Sequence, residues 1–367
     1  MNNDLLYKIA LGLIPGIGDV LTKTIVSYCG GVENVFKQGK SRLMKIPGIG
    51  DVTAHSISSF KNFDRAEQEL NFIEKHKIKT FFYLDKNYPT RLKDIQDAPC
   101  LLYYLGNADL NHEKIVAVVG TRKASEYGKY FTENLIEELQ STNALILSGL
   151  ALGIDVCSHK AALKNNLPTV GVLGHGLDRI YPASHDKIAK QMINQGGILT
   201  EFMSGIIPDA SNFPRRNRIV AGLCDVLVVV ETGIKGGARI TAEIANMYNK
   251  DIMALPGRVS DEHSQGCNYL IKQNKASVIT CANDLLELMN WDLKLKNNTK
   301  TKQQTLPIDL CEEELKIISF IKQKTKAGID DLSFELKMDS GNLSLKLLDL
   351  EFKNIIRTLP GKFYEMV

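Results

Sequence analysis

Three arginines crowd the stretch SNFPRRNRIVAGL: Arg215, Arg216 and Arg218. Pro214 reads as a first helical residue, because its ring presets φ and its missing N–H costs nothing there. That places all three guanidinium groups in the first turn. The helix dipole is positive at that end and disfavours each cation by on the order of 0.3–1 kcal/mol. A polyanion seated on the turn removes the penalty. Asn217 lies between the charges, and Phe213 just ahead of them offers a ring on which a base can stack. The competing reading pairs the arginines with Glu201 and Glu231 at neighbouring strand ends. One or two can be neutralised that way; three are hard to account for, so anion binding is favoured.

Two further loops have the chemistry to join them. In VVGTRKASEYG a strand ends at Gly120, and Thr121, Arg122 and Lys123 follow at the tip before a helix. Backbone N–H groups at a helix start bind anions, and an arginine adds a forked donor; alone, the segment is equally an ordinary strand-to-helix loop. In ETGIKGGARITAEIA a strand runs into a loop with Gly236 and Gly237, then a helix from about Ala238 that carries Thr241. The geometry suits a phosphate, yet GxxxxGK[ST] is missing, and GKS at Gly39–Ser41 fails because position 34 is Asn. ATP hydrolysis is therefore not expected. GVLGHG satisfies only part of a dinucleotide fingerprint.

Candidate catalytic pairs are Asp155 with His159, His175 with Asp178, and His185 with Asp186. The first shares a helix face at i, i+4. No third ligand is placed by sequence, and HExxH and GxSxG are missing. All three pairs read as structural; no catalytic residue, metal or cofactor is expected.

The loops need a scaffold that brings strand ends together. From Glu113 onward, the runs KIVAVVG, NALILSG, PTVGVLG, GGILTE, DVLVVVE and DIMALPG alternate with helix-length segments. They are apolar throughout, as strands buried on both faces are. This predicts an α/β fold around a parallel sheet of βαβ units. The runs end at Gly120, Gly149, Gly174, Glu201, Glu231 and Gly257, which a parallel sheet lines up along its ligand-binding edge. Residues 1–65 read as helices joined by two copies of PGIGDV, at Pro15–Val20 and Pro47–Val52, in the manner of helix-hairpin-helix units. The aspartate ending each turn is unfriendly to a DNA phosphate. Residues 66–291 form the α/β region and 292–305 a polar linker with four lysines. Residues 306–367 read as short helices followed by a hairpin turning at Pro360-Gly361, the pattern of a winged helix. The helix within DSGNLSLKLLDLEFKN carries as many acids as lysines, a poor surface for duplex DNA.

The bulk properties agree with a globular protein of 367 residues, 44% hydrophobic and 24% charged. A net charge of +3 is too small to argue for nucleic acid by itself. Seven cysteines without a CxxC pair argue against a disulfide framework or structural zinc. With no 18-residue apolar stretch and no cleavable leader pattern, a cytoplasmic, non-membrane protein is expected.

Five motifs in register, SGLALGIDVCSHKAAL, VGVLGHGLDRIYPASH, FPRRNRIVAGL, GGARITAEIA and LPGRVSDEHSQGCNYLI, together resemble the DNA-processing protein A family (DprA, also called Smf). The likeness spans about Tyr88 to Ala276. Where the family has Gly-Ser-Arg this chain has Gly120-Thr121-Arg122, which keeps a hydroxyl. Where the family usually has Ser-Gly-(Ser/Ala)-Leu-Thr-Ala, it has Gly236-Gly237-Ala238-Arg239-Ile240-Thr241-Ala242. The resemblance implies an extended Rossmann-like domain flanked by an N-terminal helical domain and a C-terminal winged helix. It implies a homodimer that binds single-stranded DNA during natural transformation, protects it, and loads RecA recombinase past single-strand binding protein. It also implies a DNA pocket built on the Gly-x-Arg loop and the arginine-rich segment before Asn217. The competing expectation is a nucleoside-monophosphate phosphoribohydrolase, which also uses a Gly-Gly…Thr…Glu loop, here Gly236-Gly237…Thr241…Glu243.

Overall fold

A computed structural model describes residues 3–291, 311–324, 326–353, 355–359 and 363–366. The linker at 292–305 and the Pro360-Gly361 turn lie outside the described residues. The chain divides into two compact units, 1–293 and 294–367.

The first unit opens with six helices: α1 (Asn3–Leu11), α2 (Asp19–Cys29), α3 (Val32–Phe36), α4 (Lys40–Leu43), α5 (Asp51–Ser58) and α6 (Phe63–His76). Residue 65, expected as a boundary, falls inside α6. Each PGIGDV copy is a turn into the next helix. Gly16 and Gly48 take φ of 78° and 82°, a conformation that costs a side-chain-bearing residue 1–2 kcal/mol or so. Asp19 and Asp51 are each the first helical residue, where the dipole favours an anion. Their side chains then diverge. Asp51 pairs with Lys40 at 2.7 Å on the surface. Asp19 turns inward, accepting from the Cys100 N–H at 2.8 Å and pairing with Arg218 at 3.1 Å.

The rest of this unit is a nine-stranded sheet: β1 (Lys79–Phe82), β2 (Leu101–Gly106), β3 (Ile115–Val119), β4 (Leu145–Ser148), β5 (Thr169–Val172), β6 (Gly196–Thr200), β7 (Val226–Val229), β8 (Asp251–Ala254) and β9 (Ser277–Val278). The spatial order is β1-β2-β6-β5-β4-β3-β7-β8-β9. Strands β3 to β9 are parallel; β2 joins β6, and β1 joins β2, in antiparallel pairs. The helices of this region are α7 (Thr90–Lys93), α8 (Glu126–Glu138), α9 (Ile154–Lys164), α10 (Asp186–Gln195), α11 (Asn212–Leu223), α12 (Gly237–Met247), α13 (Gln265–Lys272) and α14 (Ala282–Leu288).

The uninterrupted apolar runs follow from burial on both faces. Ile115, Ala117 and Val119 pack with Ile219 of α11 and Ala242 of α12. Val116 and Val118 pack on the other side with Leu135 of α8 and Ile154 of α9. From β3 the chain steps outward through β4, β5 and β6, then returns along α11 to β7 on the far side of β3. The loops after β3 and β7 therefore part at the carboxyl edge, where open α/β sheets leave a crevice. No helix among the described residues is long and apolar enough to cross a membrane.

The second unit contains α15 (Glu312–Lys324), β10 (Lys326–Gly328), α16 (Ile329–Leu336), α17 (Ser340–Phe352), β11 (Ile356–Leu359) and β12 (Phe363–Met366). Its antiparallel sheet runs β10-β12-β11. Both lysines of the DSGNLSLKLLDLEFKN segment are engaged: Lys346 pairs with Glu313 at 3.7 Å, and Lys353 with Glu314 and Asp349 at 2.7 Å each.

Arg218 is the staple that joins the helical layer to the sheet. Its guanidinium meets Glu201 at the end of β6 (2.5 Å) and Asp19 of α2 (3.1 Å), and donates to the Asp97 carbonyl. The Asp97 carboxylate in turn accepts from the Tyr248 hydroxyl at 2.6 Å. Burial works against the Arg218 charge, but Glu201, Asp19 and Asp97 outweigh it and its pKa is raised. Arg218→Ala leaves Glu201, whose side chain is 5% exposed, with only the longer contact to the exposed Arg215. Removing one partner of a buried pair costs about 3 kcal/mol, so a urea titration should show the midpoint falling accordingly.

Beneath the sheet edge, His159 sits between Thr169 Oγ1 (2.7 Å) and the Gly149 carbonyl (2.5 Å), tying α9 to β5 and β4. Its partner is not Asp155, despite the i, i+4 spacing. Burial pushes its pKa down to about 4, against about 6.5 in the unfolded chain. The folded protein holds a neutral imidazole that the unfolded chain protonates first. This stabilisation is therefore complete above pH 6.5 and is lost as pH falls towards 4, by about 3 kcal/mol. Urea midpoints measured across that window should fall in the wild type and stay flatter in His159→Gln.

Candidate nucleic-acid interface

The crevice between the β3 and β7 loops has a volume of about 550 Å³. It is lined by Gly120, Thr121, Arg122 and Lys123 from the β3 loop and by Phe213, Arg216 and Asn217 from α11. Gly236, Gly237, Ala238 and Thr241 line it from the start of α12. The structure thus brings together three segments far apart in sequence. Of the candidate residues, Arg215 and Arg218 do not line it.

The reason is the phase of α11. The helix starts at Asn212, two residues before the expected Pro214. The arginines are consequently its fourth, fifth and seventh residues, and at 3.6 residues per turn they point in three directions. Arg215 faces away from the crevice, its side chain 57% exposed and paired with Glu201 at 3.2 Å. Arg218 is the buried staple. Arg216 enters the crevice floor, 6% exposed, donating to the Val172 carbonyl and, at 3.0 Å, to Asn217 Oδ1. A Cβ added at Gly149 would lie 2.4 Å from Asp155 Oδ2 and 2.6 Å from Arg216 Nη1. The two side chains therefore share the space that this glycine leaves open. Burial raises the Asp155 pKa while Arg216 opposes that shift, and burial lowers the Arg216 pKa while Asp155 opposes it. The pair makes a floor that is polar but nearly neutral.

Glu201 accepts both Arg215 and Arg218, as the competing reading foresaw. Glu231 does something the sequence reading missed. It accepts from the Ser125 N–H at 2.9 Å and from the Ser125 hydroxyl, fixing the far end of the Gly-Thr-Arg loop at the start of α8. Gly153, with φ of 81°, supports the near end: its Cβ position lies 2.1 Å from the Thr121 carbonyl, so only glycine fits. The Ile154 N–H donates to that carbonyl at 3.2 Å. Held from both sides, the loop presents Arg122 and Lys123 to solvent. Neither meets a carboxylate among the described residues.

Arg122 lies over the Phe213 ring, 5.2 Å from its centroid. Both border a smaller hollow of about 60 Å³, closed by Leu150, Leu173, His175 and Tyr181. His175 Nδ1 donates to the Gly176 carbonyl at 2.9 Å, which leaves Nε2 as an acceptor without a partner. Burial lowers the His175 pKa, keeping the ring neutral. Asp178 is not its partner; it accepts from Arg179 and from the Gly205 N–H. His185 contacts the Leu150 carbonyl at 3.0 Å rather than Asp186. The hollow thus combines aromatic walls, the exposed Arg122 and the buried Arg216, and one unpaired acceptor, features that suit a planar heteroaromatic ring attached to an anionic chain.

Glu243 lies off the crevice, paired with Lys275 at 2.6 Å. Asp155, which accepts from the Ala151 N–H at 3.4 Å and lies near Arg216 in the floor, is the one carboxylate among the described residues lining it.

The family described as DNA recombination-mediator protein A matches residues 79–290. Protein Smf of Synechocystis is 32% identical over 99% of this chain and 99% of its own. DNA processing protein DprA of Streptococcus pneumoniae is 41% identical over 58% of this chain and 75% of its own. The solved structure of that pneumococcal protein superposes with a TM-score of 0.68 at 32% identity, covering 78% of this chain and 98% of the other. DNA processing protein A from Helicobacter pylori, solved for its single-stranded DNA binding mode, gives 0.53 at 30% identity over 58% of this chain and 96% of the other. With a parallel-dominated α/β sheet in common and a relative aligned from end to end, the chain belongs to the DNA recombination-mediator protein A (DprA/Smf) family.

Proposed function

We propose that this protein binds single-stranded DNA in the crevice between the β3 and β7 loops and works without catalysis, as a mediator. The observation that carries the reading is the exposed Arg122–Lys123 pair beside Phe213, at a hollow large enough to begin admitting a ring. Phosphates would meet Arg122, Lys123 and the backbone N–H groups of Gly237 and Ala238 at the start of α12, while a base lies against Phe213 and Tyr181. A duplex keeps its base faces stacked, so an aromatic site of this kind selects single strands. The Helicobacter pylori relative, described by its single-stranded DNA binding mode, supports the assignment. Family membership supports the wider role: a cytoplasmic homodimer in natural transformation that shields the strand and loads RecA onto it past single-strand binding protein.

Arg216 and Arg218 act here as positioning residues, and Arg215 as a minor rim contact. Arg122→Ala and Phe213→Ala should each weaken oligo-dT binding about tenfold or more, stacking alone being worth about 1–3 kcal/mol per base. Arg215→Ala should change it less than about threefold, as rim charges generally do. Fluorescence anisotropy reads this directly, and wild-type affinity in Arg122→Ala would sink the assignment. Removing Arg122 and Lys123 together should flatten the dependence of log K on log salt by about 1.4.

The phosphoribohydrolase alternative needs a carboxylate at the reacting centre. Glu243 is turned away to Lys275, and Asp155 is buried in the floor, where desolvation raises its pKa. Incubation with nucleoside monophosphates should release no free base at a rate above the buffer control; steady turnover would reverse the conclusion.

A further inference from the structure

The carboxyl edge of the sheet is electrically lopsided beyond the crevice. Towards β6 its arginines are neutralised: Arg179 by Asp178 at 2.8 Å, and Arg215 and Arg218 by Glu201. Towards β8, Arg239 pairs with Glu243 at 3.9 Å, but among the described residues two other cations are left free. Lys235 in the loop after β7 and Arg258 in the loop after β8 are both exposed, and neither meets a carboxylate among the described residues. Tyr127, 52% exposed at the start of α8, reaches the same place, its hydroxyl 3.4 Å from the Pro256 carbonyl that follows β8. The acids nearby are mostly spent. Asp261 caps its own loop through Ser264 Oγ (3.0 Å) and the His263 N–H (3.1 Å), and Glu126 pairs with Lys129 at 2.7 Å. Glu262, in the loop after β8, is exposed and makes no ion pair among the described residues.

We infer that a bound single strand leaves the crevice in one direction only, across the β7 and β8 loops, with Lys235 and Arg258 on its phosphates and Tyr127 under a base. This rests on the single-stranded DNA reading above and extends it to residues outside the crevice. From the hollow at β5 to the β8 loop the strand crosses four inter-strand spacings, about 19 Å, more than the crevice itself spans. Short oligonucleotides would fill the crevice alone; longer ones would gain the added contacts.

The experiment compares oligo-dT of about five and about twenty nucleotides on the full-length protein, the longer exceeding the roughly 4–16 nucleotides that one single-strand-binding fold covers. Circular dichroism verifies that each variant is folded. Lys235→Ala with Arg258→Ala should leave the short oligonucleotide unaffected. It should weaken the long one about tenfold and flatten its salt dependence by about 1.4. Tyr127→Ala should weaken the long one alone, by at least about fivefold, with Tyr127→Phe close to wild type. Unchanged binding of the long strand by the double variant overturns the proposal, and so does an equal loss on both lengths, which would place these residues in the primary site. Failure of the wild type to hold even the short strand overturns the underlying reading itself.

Discussion

Strand β3 has its sequence successors on one side and β7 on the other, so the loops after β3 and β7 must part at the carboxyl edge of the sheet. Much of the polar structure around the crevice answers to that gap. A parallel sheet buried on both faces lets backbone N–H groups and charged side chains converge only at its edges, and the carboxyl edge at the strand-order reversal is the one that opens. Glu231 and Gly153 fix the loop on one side of the gap, the Arg216–Asp155 pair floors it, and α11 and α12 begin at its other wall. The gap arises from strand order rather than from any one side chain, and so belongs to the fold that solved relatives at 30–32% identity share.

The guanidinium groups around the gap are sorted by solvation. Arg216 and Arg218 are buried, and a buried cation persists only when carboxylates and carbonyls replace its water. The Val172 carbonyl and Asn217 Oδ1 do this for Arg216, with the Asp155 charge nearby; Glu201, Asp19 and the Asp97 carbonyl do it for Arg218. Each is thereby removed from the pool available to a phosphate. Arg122 and Lys123 have no such compensation and remain solvated, so a polyanion can recruit them without breaking an existing ion pair. The number of arginines near a site is for this reason a poor guide to its affinity for DNA.

That sorting separates what was legible in the sequence from what was not. The strands were legible because two-sided burial demands continuous apolar runs, and a parallel arrangement aligned their ends. The three segments of the crevice were legible as strand-loop-helix transitions. The fate of the arginines was not. It depended on the turn of about 100° per residue along α11, which sends Arg215, Arg216 and Arg218 in different directions wherever the helix begins, and on partners that are remote in sequence. Asp19 lies 199 residues from Arg218, and no local pattern announces the contact. Glu201 and Glu231 were visible as potential partners, but only the fold decides that one takes two arginines while the other takes a serine.

The duplicated PGIGDV turn shows the same physics from the other side. Both copies obey one local rule, a positive-φ glycine followed by an aspartate at a helix start. Locally they are interchangeable. Their environments differ: Asp51 faces solvent and a surface lysine, an arrangement worth little, whereas Asp19 is enclosed between Cys100 and Arg218. The first copy has become part of the foundation of α11, the helix that carries Phe213, Arg216 and Asn217. Movement of the N-terminal helices would consequently be felt at the crevice through Asp19, Arg218 and Glu201. The helical layer thereby bears on the crevice through the stability of α11.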